Sequence, residues 1–497
     1  MFANIHTISF VGLDVKKIEV QVHITRGMPA FSIVGLANKS VSEAKERVRS
    51  AIASSGFQFP QSRITINLAP ADIVKDGSHY DLPIAIGILT SMGIIEQSQI
   101  ENKIIVGELS LDGNLQNIGG LLPLSLYAKK NSYGIICPFE CANEAMFVGG
   151  VEILPAKNLT GLISILQGYE GKQYPEPLQV ENANANVGDF SDVKGQVHAK
   201  RALEIAASGG HNILMKGMPG SGKSMLAQRI TTIMPELTLD EMLEIGIINS
   251  ISNSLKHFTI SPHIPFRSPH HSASTPSIVG GGKKAKPGEI TLAHKGILFL
   301  DEFAEYPSNV LEALRQPMET REITISRAEN HITYPADFQL IAAMNPCKCG
   351  YLGDVKKECS KAPLCAEDYT RKISGPIMER IDMHITVNPS TANIFEKETA
   401  PVETSREVKE RVLKARDIQL QRFGRKMVNA KMSTSETEKF CQLDAECEKI
   451  IQSAMERFGL SIRQYHKILK VSRTIADLAA SENIQKPHLM EALGYRV

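Results

Sequence analysis

The stretch Gly217-Met218-Pro219-Gly220-Ser221-Gly222-Lys223-Ser224 directly follows the apolar run Ile213-Leu214-Met215. Glycines at these intervals let backbone N–H groups converge on phosphate oxygens, while Lys223 reaches the β/γ-phosphates and the Ser224 hydroxyl can ligate Mg²⁺. Met225-Leu226-Ala227-Gln228-Arg229-Ile230 has helical spacing, so bound phosphates would face a helix N-terminus and its partial positive charge. The chemistry expected here is nucleotide binding, with ATP and Mg²⁺ as cofactors. Downstream, Ile297-Leu298-Phe299-Leu300 ends in Asp301-Glu302, the pattern of a buried parallel strand that presents two carboxylates at its carboxyl end. Asp301 is expected to hold Mg²⁺ and its water, and Glu302 to polarise the attacking water. A third run, Phe338-Gln339-Leu340-Ile341-Ala342-Ala343-Met344, ends in Asn345, whose amide can orient that water from the other side. Arg380, in Ser374-Gly375-Pro376-Ile377-Met378-Glu379-Arg380-Ile381-Asp382, either serves a neighbouring subunit's nucleotide as a finger or pairs with Glu379 or Asp382. Arg371 is the second candidate finger.

The elements that must position these groups fall into a multidomain α/β plan. Residues 1–168 alternate short β-like runs, such as Ile18–Ile24, with amphipathic helical stretches, such as Val41–Arg49, and read as an N-terminal α+β domain. Residues 169–187 include Tyr174-Pro175-Glu176-Pro177 and Asn182-Ala183-Asn184-Ala185-Asn186 and read as a linker. Residues 188–395 hold every nucleotide motif, as a P-loop α/β core. Residues 396–497 are dominated by helical periodicity, for example Ile450, Ala454 and Phe458. Lys409, Arg411, Lys414, Arg416 and Arg422 are interleaved with Glu407, Glu410 and Asp417, which favours a solvated helix face over a nucleic-acid contact.

Bulk composition narrows the function classes. The 497 residues carry 55 basic and 54 acidic side chains, a formal charge of +1, which excludes a globally basic nucleic-acid coat. Any DNA contact must be a local patch. No apolar run approaches the roughly 18 residues of a membrane span, and Met1-Phe2-Ala3-Asn4-Ile5-His6 lacks a secretion signal, so the expected compartment is the cytoplasm. Eight cysteines are too few for a disulfide framework, yet Cys347, Cys349, Cys359 and Cys365 cluster. Four thiolates suit a tetrahedral structural Zn²⁺. Cys-x-Cys is tighter than the usual gap, however, and the Cys359–Cys365 gap is wider, so zinc and free reduced thiols both stay open. The adjacent His270 and His271 are a weaker ligand pair, because neighbours on a strand point apart. Gly280-Gly281-Gly282-Lys283-Lys284-Ala285-Lys286-Pro287 is a flexible basic loop between the nucleotide motifs. Lys283, Lys284 and Lys286 either face a DNA backbone or keep a surface loop soluble.

Together the phosphate loop, Leu-Phe-Leu-Asp-Glu, Ala-Met-Asn-Pro, Ser-Gly-Pro-x-x-x-Arg-Ile-Asp and Leu460-Ser461-Ile462-Arg463 resemble the AAA+ ATPases of the magnesium-chelatase-like branch. Asn67–Asp72, Phe266–His271, Pro287–Ile290 and Asn345–Gly350 narrow the resemblance to the ComM/YifB family, over essentially the whole chain. It implies a hexameric ring, a DNA substrate and a helicase that drives branch migration during natural transformation. It also implies that residues 396–497 form a helical lid over the nucleotide, in which Arg463 is the second sensor of the γ-phosphate and Arg473 a competing candidate. Branch relatives leave two alternatives, a magnesium-chelatase-type metal-insertion motor and a protein-remodelling ring. Asp76-Gly77-Ser78, Gly107–Leu115 and Gly119-Gly120-Leu121-Leu122 are similar to the Lon proteolytic domain, an S5-like fold. Leu122 stands where that family carries its catalytic lysine, so Ser78 lacks a base and peptidase chemistry is not expected.

Overall fold

Alternation of apolar and polar residues along Ile18-Glu19-Val20-Gln21-Val22-His23-Ile24 gives a strand with one face buried. In the computed structural model, which describes residues 1–177, 188–252, 259–282, 285–326, 331–352, 359, 362–388 and 403–496, it lies within a twelve-residue strand. The chain divides into two compact units, residues 1–181 with 242–260, and residues 182–241 with 261–497.

The first unit is built on β1 (Phe2–Val11), β2 (Asp14–Thr25), β3 (Ala30–Val34), β4 (Arg63–Ala69), β5 (Lys103–Ile105), β6 (Gly134–Pro138) and β7 (Ile153–Ala156). Their order across one mixed sheet is β3-β4-β2-β1-β5-β6-β7. Helix Lys39–Ser54 buries Val41, Ala44, Val48, Ala51 and Ile52, the three-and-four spacing of an amphipathic helix. Helix Asp81–Ser91 is buried almost all round, and Gly87 lets it close on the sheet: a Cβ there would stand 2.5 Å from Val22 Cγ2.

Residues 242–260 belong to this unit although they lie between the nucleotide motifs in sequence, an excursion that the linear division at 168 and 188 does not contain. The helix Leu239–Ser252 buries Ser250 there. Its hydroxyl accepts the Gly120 N–H at 3.0 Å and donates to Glu144, whose carboxylate also accepts the Leu122 N–H at 2.8 Å. Burial raises the Glu144 pKa, and these hydrogen bonds work against the rise.

The second unit carries a five-stranded parallel sheet in the order β9-β10-β11-β8-β12, from β8 (Ile213–Gly217), β9 (Phe266–Arg267), β10 (Ile297–Leu300), β11 (Gln339–Met344) and β12 (Met383–Val387). All of β10 and β11 is buried, as expected of strands covered on both faces. Parallel strands end on one edge, so the loops after β8, β10 and β11 emerge together.

The C-terminal helices Ser405–Phe423, Ala445–Phe458, Ile462–Leu478 and Lys486–Gly494 share the apolar core of that sheet. Helix Ala445–Phe458 buries Cys447, Ile451 and Ala454, whereas Phe458 is exposed beneath the Arg496 guanidinium, so its buried stripe is offset from the expected one. The basic helix Ser405–Phe423 is also not the solvated face that its charge pattern suggests. Arg416 Nε donates to the Ala207 carbonyl at 3.1 Å, Arg422 forks onto the buried Asp477, and Arg411 bridges Glu204 and Glu403. These guanidiniums pin the helix to its neighbours. Their partners, carboxylates for Arg411 and Arg422 and a carbonyl for Arg416, come from other segments of the fold, which periodicity cannot register.

Candidate nucleotide site

Strand β8 runs into the phosphate loop and the helix Lys223–Ile233 starts at the lysine. Gly217 is required by packing, since a Cβ would stand 2.3 Å from the Val387 carbonyl oxygen of β12. Gly220 and Gly222 take φ of +77° and +88°, where any other residue is strained, and a Cβ at either would meet nothing within 4 Å.

Lys223 Nζ donates to the carbonyls of Gly217 at 2.7 Å and Met218 at 2.9 Å, and approaches Asn345 Oδ1 at 3.4 Å. Burial lowers its pKa, and Asp301 opposes that. Ser224 Oγ donates to Asp301 Oδ2 at 2.7 Å. The two oxygen groups assigned to Mg²⁺ thus already converge, and hydroxyl plus carboxylate is the hard donor set that this cation takes. Lys223, Ser224, Asp301 and Asn345 come together from three strand ends, and the donors present fit Mg²⁺-ATP.

Glu302 follows in the left-handed region at φ 51°, a conformation costing a non-glycine residue about 1–2 kcal/mol. This bend aims its carboxylate at His271 Nδ1, 3.1 Å away. His271 is in turn flanked by His270, with ring centroids 4.2 Å apart, and by the edge of Tyr306, whose hydroxyl donates to the Pro269 carbonyl at 2.5 Å. The two histidines therefore lie in the turn beyond β9, not on a strand, and their rings do not point apart. His271 meets the acidic end of β10 because β9 and β10 are neighbours. This contact of His271 was missed, and its one signal in the sequence was the unusual His-His pair itself.

Arg380 and Arg463 lie together in a different place. Arg380 donates to the Pro376 carbonyl at 2.5 Å and to the carboxylate of Glu319, not to Glu379 or Asp382. Arg463 reaches the same Glu319 at 3.3 Å and Glu379 at 3.4 Å. Both arginines line a cavity of about 630 Å³ with Glu319, Arg321, Glu379 and Lys467. Among the described residues, none of their hydrogen bonds or ion pairs goes to Lys223, Ser224, Asp301, Glu302 or Asn345. Arg380 keeps a buried Nε with no hydrogen-bond partner among the described residues. Arg463, expected as a sensor of the γ-phosphate, is paired here with Glu319 and Glu379. Helix Ile462–Leu478 starts at Glu319, and its second residue points there. Glu319 carried no motif and was missed. Arg473 is buried against Asp477 and the carbonyls of Ser481 and Glu482, which removes it as a phosphate sensor. Arg371 is exposed, with long pairs of 3.6 Å to Glu367 and 3.7 Å to Asp368.

The four cysteines Cys347, Cys349, Cys359 and Cys365 gather with all sulfurs within 4.8 Å of one another. Lys283 and Lys284 lie outside the described residues; Lys286 is exposed and pairs with Gly281 in a short hairpin. In the first unit, Ser78 Oγ donates to Glu108, and Leu122 is fully buried.

The chain matches the family described as "Magnesium chelatase, subunit ChlI" over residues 189–394. It also matches "Subunit ChlI of Mg-chelatase" over 20–141 and "Magnesium chelatase, subunit ChlI C-terminal" over 402–496. It is 42% identical to competence protein ComM of Haemophilus influenzae over 498 residues, 99% of this chain and 97% of that protein. Against the YifB protein of Escherichia coli the identity is 41% over 492 residues, 99% of this chain and 96% of that one. A shorter similarity, 25% over 215 residues, covering 41% of this chain and 25% of the other, links it to the maternal DNA replication licensing factor mcm6 of Xenopus tropicalis.

Proposed function

The chain belongs to the ComM/YifB family of magnesium-chelatase-like proteins, and from that premise we propose that it is an ATP-driven DNA motor, a cytoplasmic hexameric helicase promoting branch migration during natural transformation. The observation that carries the ring is the displacement of Arg380 and Arg463 from their own phosphate loop onto a shared Glu319. Phosphoryl transfer needs cationic charge on the γ-phosphate, and among the described residues Lys223 is the basic side chain held at the phosphate loop. A second copy would complete the site by offering this arginine pair. Accessible ion pairs contribute about 0–1 kcal/mol, so the Arg463 pairs to Glu319 and Glu379 can be exchanged for phosphate contacts cheaply.

Bound Mg²⁺-ATP supplies the transferable phosphoryl group. The chain's own residues do the rest. Backbone N–H groups of Gly220, Gly222, Lys223 and Ser224 would hold the phosphates, and Lys223 would leave its loop carbonyls for the phosphate oxygens. Ser224 and Asp301 place the cation, while Asn345 and Glu302 orient and deprotonate water once Glu302 is released from His271. In the first unit, a Lon-like, S5-like fold without its Ser-Lys dyad would serve assembly or substrate binding. Ser78 there is committed to Glu108.

DNA as substrate is supported by the names of the competence and replication relatives and by the Lys283-Lys284-Lys286 loop. The matched magnesium-chelatase descriptions favour a second reading, a metal-insertion motor. ATP turnover measured alone and with single strands, duplex or a four-way junction separates them. Stimulation by DNA, strongest with the junction, is expected. Replacing the three lysines by alanine should lower DNA affinity and flatten its salt dependence, with basal turnover within about a few-fold. Turnover indifferent to every DNA refutes the DNA reading.

A further inference from the structure

We infer that Cys347, Cys349, Cys359 and Cys365 form a tetrathiolate zinc site that braces the turn between Asn345 and the phosphate loop. Nothing in the proposed ATPase chemistry uses these thiols. Their sequence spacing is unfavourable, yet the fold collects four sulfurs from the turn after β11, from Cys359 and from the helix Leu364–Arg371, all within 4.8 Å of one another. Tetrahedral zinc with Zn–S bonds of about 2.3 Å sets its sulfurs about 3.8 Å apart. The gathered thiols are compatible with that value, since Cys347 and Cys349 have their sulfurs 3.1 Å apart and no pair of the four exceeds 4.8 Å. A disulfide does not explain the arrangement. All four are free, and 3.1 Å is well beyond an S–S bond of about 2.05 Å. A pair would also account for only two sulfurs. Cys347 and Cys359 are buried, Cys365 is half-buried and Cys349 exposed, so one side is open for metal entry. Four thiolates favour a soft or borderline cation over Mg²⁺ or Ca²⁺.

Its place in the fold assigns the site a role. Cys347 is two residues from Asn345, and the Asn345 side chain meets Lys223 Nζ at 3.4 Å. The turn closes with the Gly350 N–H donating to the Cys347 carbonyl at 3.0 Å. Gly350 sits at φ +84°, so close to the phosphate loop that a Cβ would stand 2.8 Å from Pro219 Cγ. A cation tying Cys347 and Cys349 to Cys359 and Cys365 would hold this turn against Pro219. It would thereby couple the water-orienting amide to the phosphate cradle.

The test begins with metal analysis of the full-length protein, purified without chelator, where about one zinc per chain is expected. Replacing zinc by cobalt should give the intense near-ultraviolet thiolate-to-cobalt absorption. This measurement on the unmutated chain holds even if Cys347→Ser fails to fold. The milder Cys349→Ser and Cys365→Ser variants should each lose most of the metal. Stripping the metal should weaken binding of a fluorescent ATP analogue at least about fivefold, the lower end of ordinary coupling between sites, and restoring zinc should reverse the loss. A folded protein with neither zinc nor a cobalt-thiolate band overturns the site, and stoichiometric iron overturns the choice of metal. Unchanged nucleotide affinity after complete stripping overturns the brace. These readouts need neither DNA nor hydrolysis, so they stand apart from the motor proposal.

Discussion

Suppose that Arg380→Ala and Lys223→Ala are each made in the full-length chain. The first removes a guanidinium that, in its own chain, is tied to Pro376 and Glu319. The second removes the ammonium at the phosphate loop. If Arg380 acts on a neighbour's nucleotide, each variant alone should lose about 10³-fold or more in kcat, the usual worth of such an arginine. In an equal mixture, an interface works only when the nucleotide-holding subunit carries Arg380→Ala and the arginine-donating one carries Lys223→Ala. Random assembly gives that arrangement at half times half of the interfaces, so about one quarter of parental turnover should return if the sites act independently. Phosphate release at saturating ATP reads the result, and differently tagged chains verify that mixed rings formed. Glu319→Gln is the structural control. If Glu319 does no more than pair with the two arginines in the free chain, this variant should leave the mixing result intact. Verified mixed rings with no recovery would refute action between subunits, and a conformational change that carries Arg380 to its own phosphate loop would then be required.

Two further outcomes follow from the described contacts. Glu302→Gln keeps a hydrogen-bonding group beside His271 but no base, so it should bind ATP and turn it over at least about a hundredfold more slowly; near-parental turnover would remove Glu302 from water activation. His211 is fully buried, 2.7 Å from Thr474 Oγ1, and burial lowers its pKa from 6.5 to about 4. Because the folded value lies below the unfolded one, its contribution is complete above pH 6.5 and is lost as pH falls toward 4, at up to about 1.4 kcal/mol per pH unit. Amide exchange of β8, corrected for intrinsic rate, should show that slope, and His211→Asn should flatten it. An unchanged slope in the variant would place the acid sensitivity elsewhere, for instance at the half-buried His384, whose pKa is also lowered to about 4 by desolvation.

Much of the phosphate loop and sheet edge was legible in the sequence because the signals are local. A glycine-rich loop between an apolar run and a helical run, and apolar runs ending in Asp301-Glu302 and Asn345, describe strands that must emerge on one edge. Backbone geometry does the positioning there, so residue order is nearly sufficient. Charge partners are different, because an arginine takes whichever carboxylate the fold delivers. Only the tertiary structure decided that Arg380 and Arg463 converge on Glu319, that Arg416 and Arg422 are structural, and that His271 faces Glu302 across neighbouring strands. The cysteines follow the same rule, for their spacing argued against a shared metal while the returning chain brings four sulfurs to one point. The sequence by itself determined the chemistry that local order can encode, which is the nucleotide cradle and its acidic strand end. Contacts between residues tens to hundreds apart depend on how sheets and helices pack, and that packing decided which carboxylate each arginine meets.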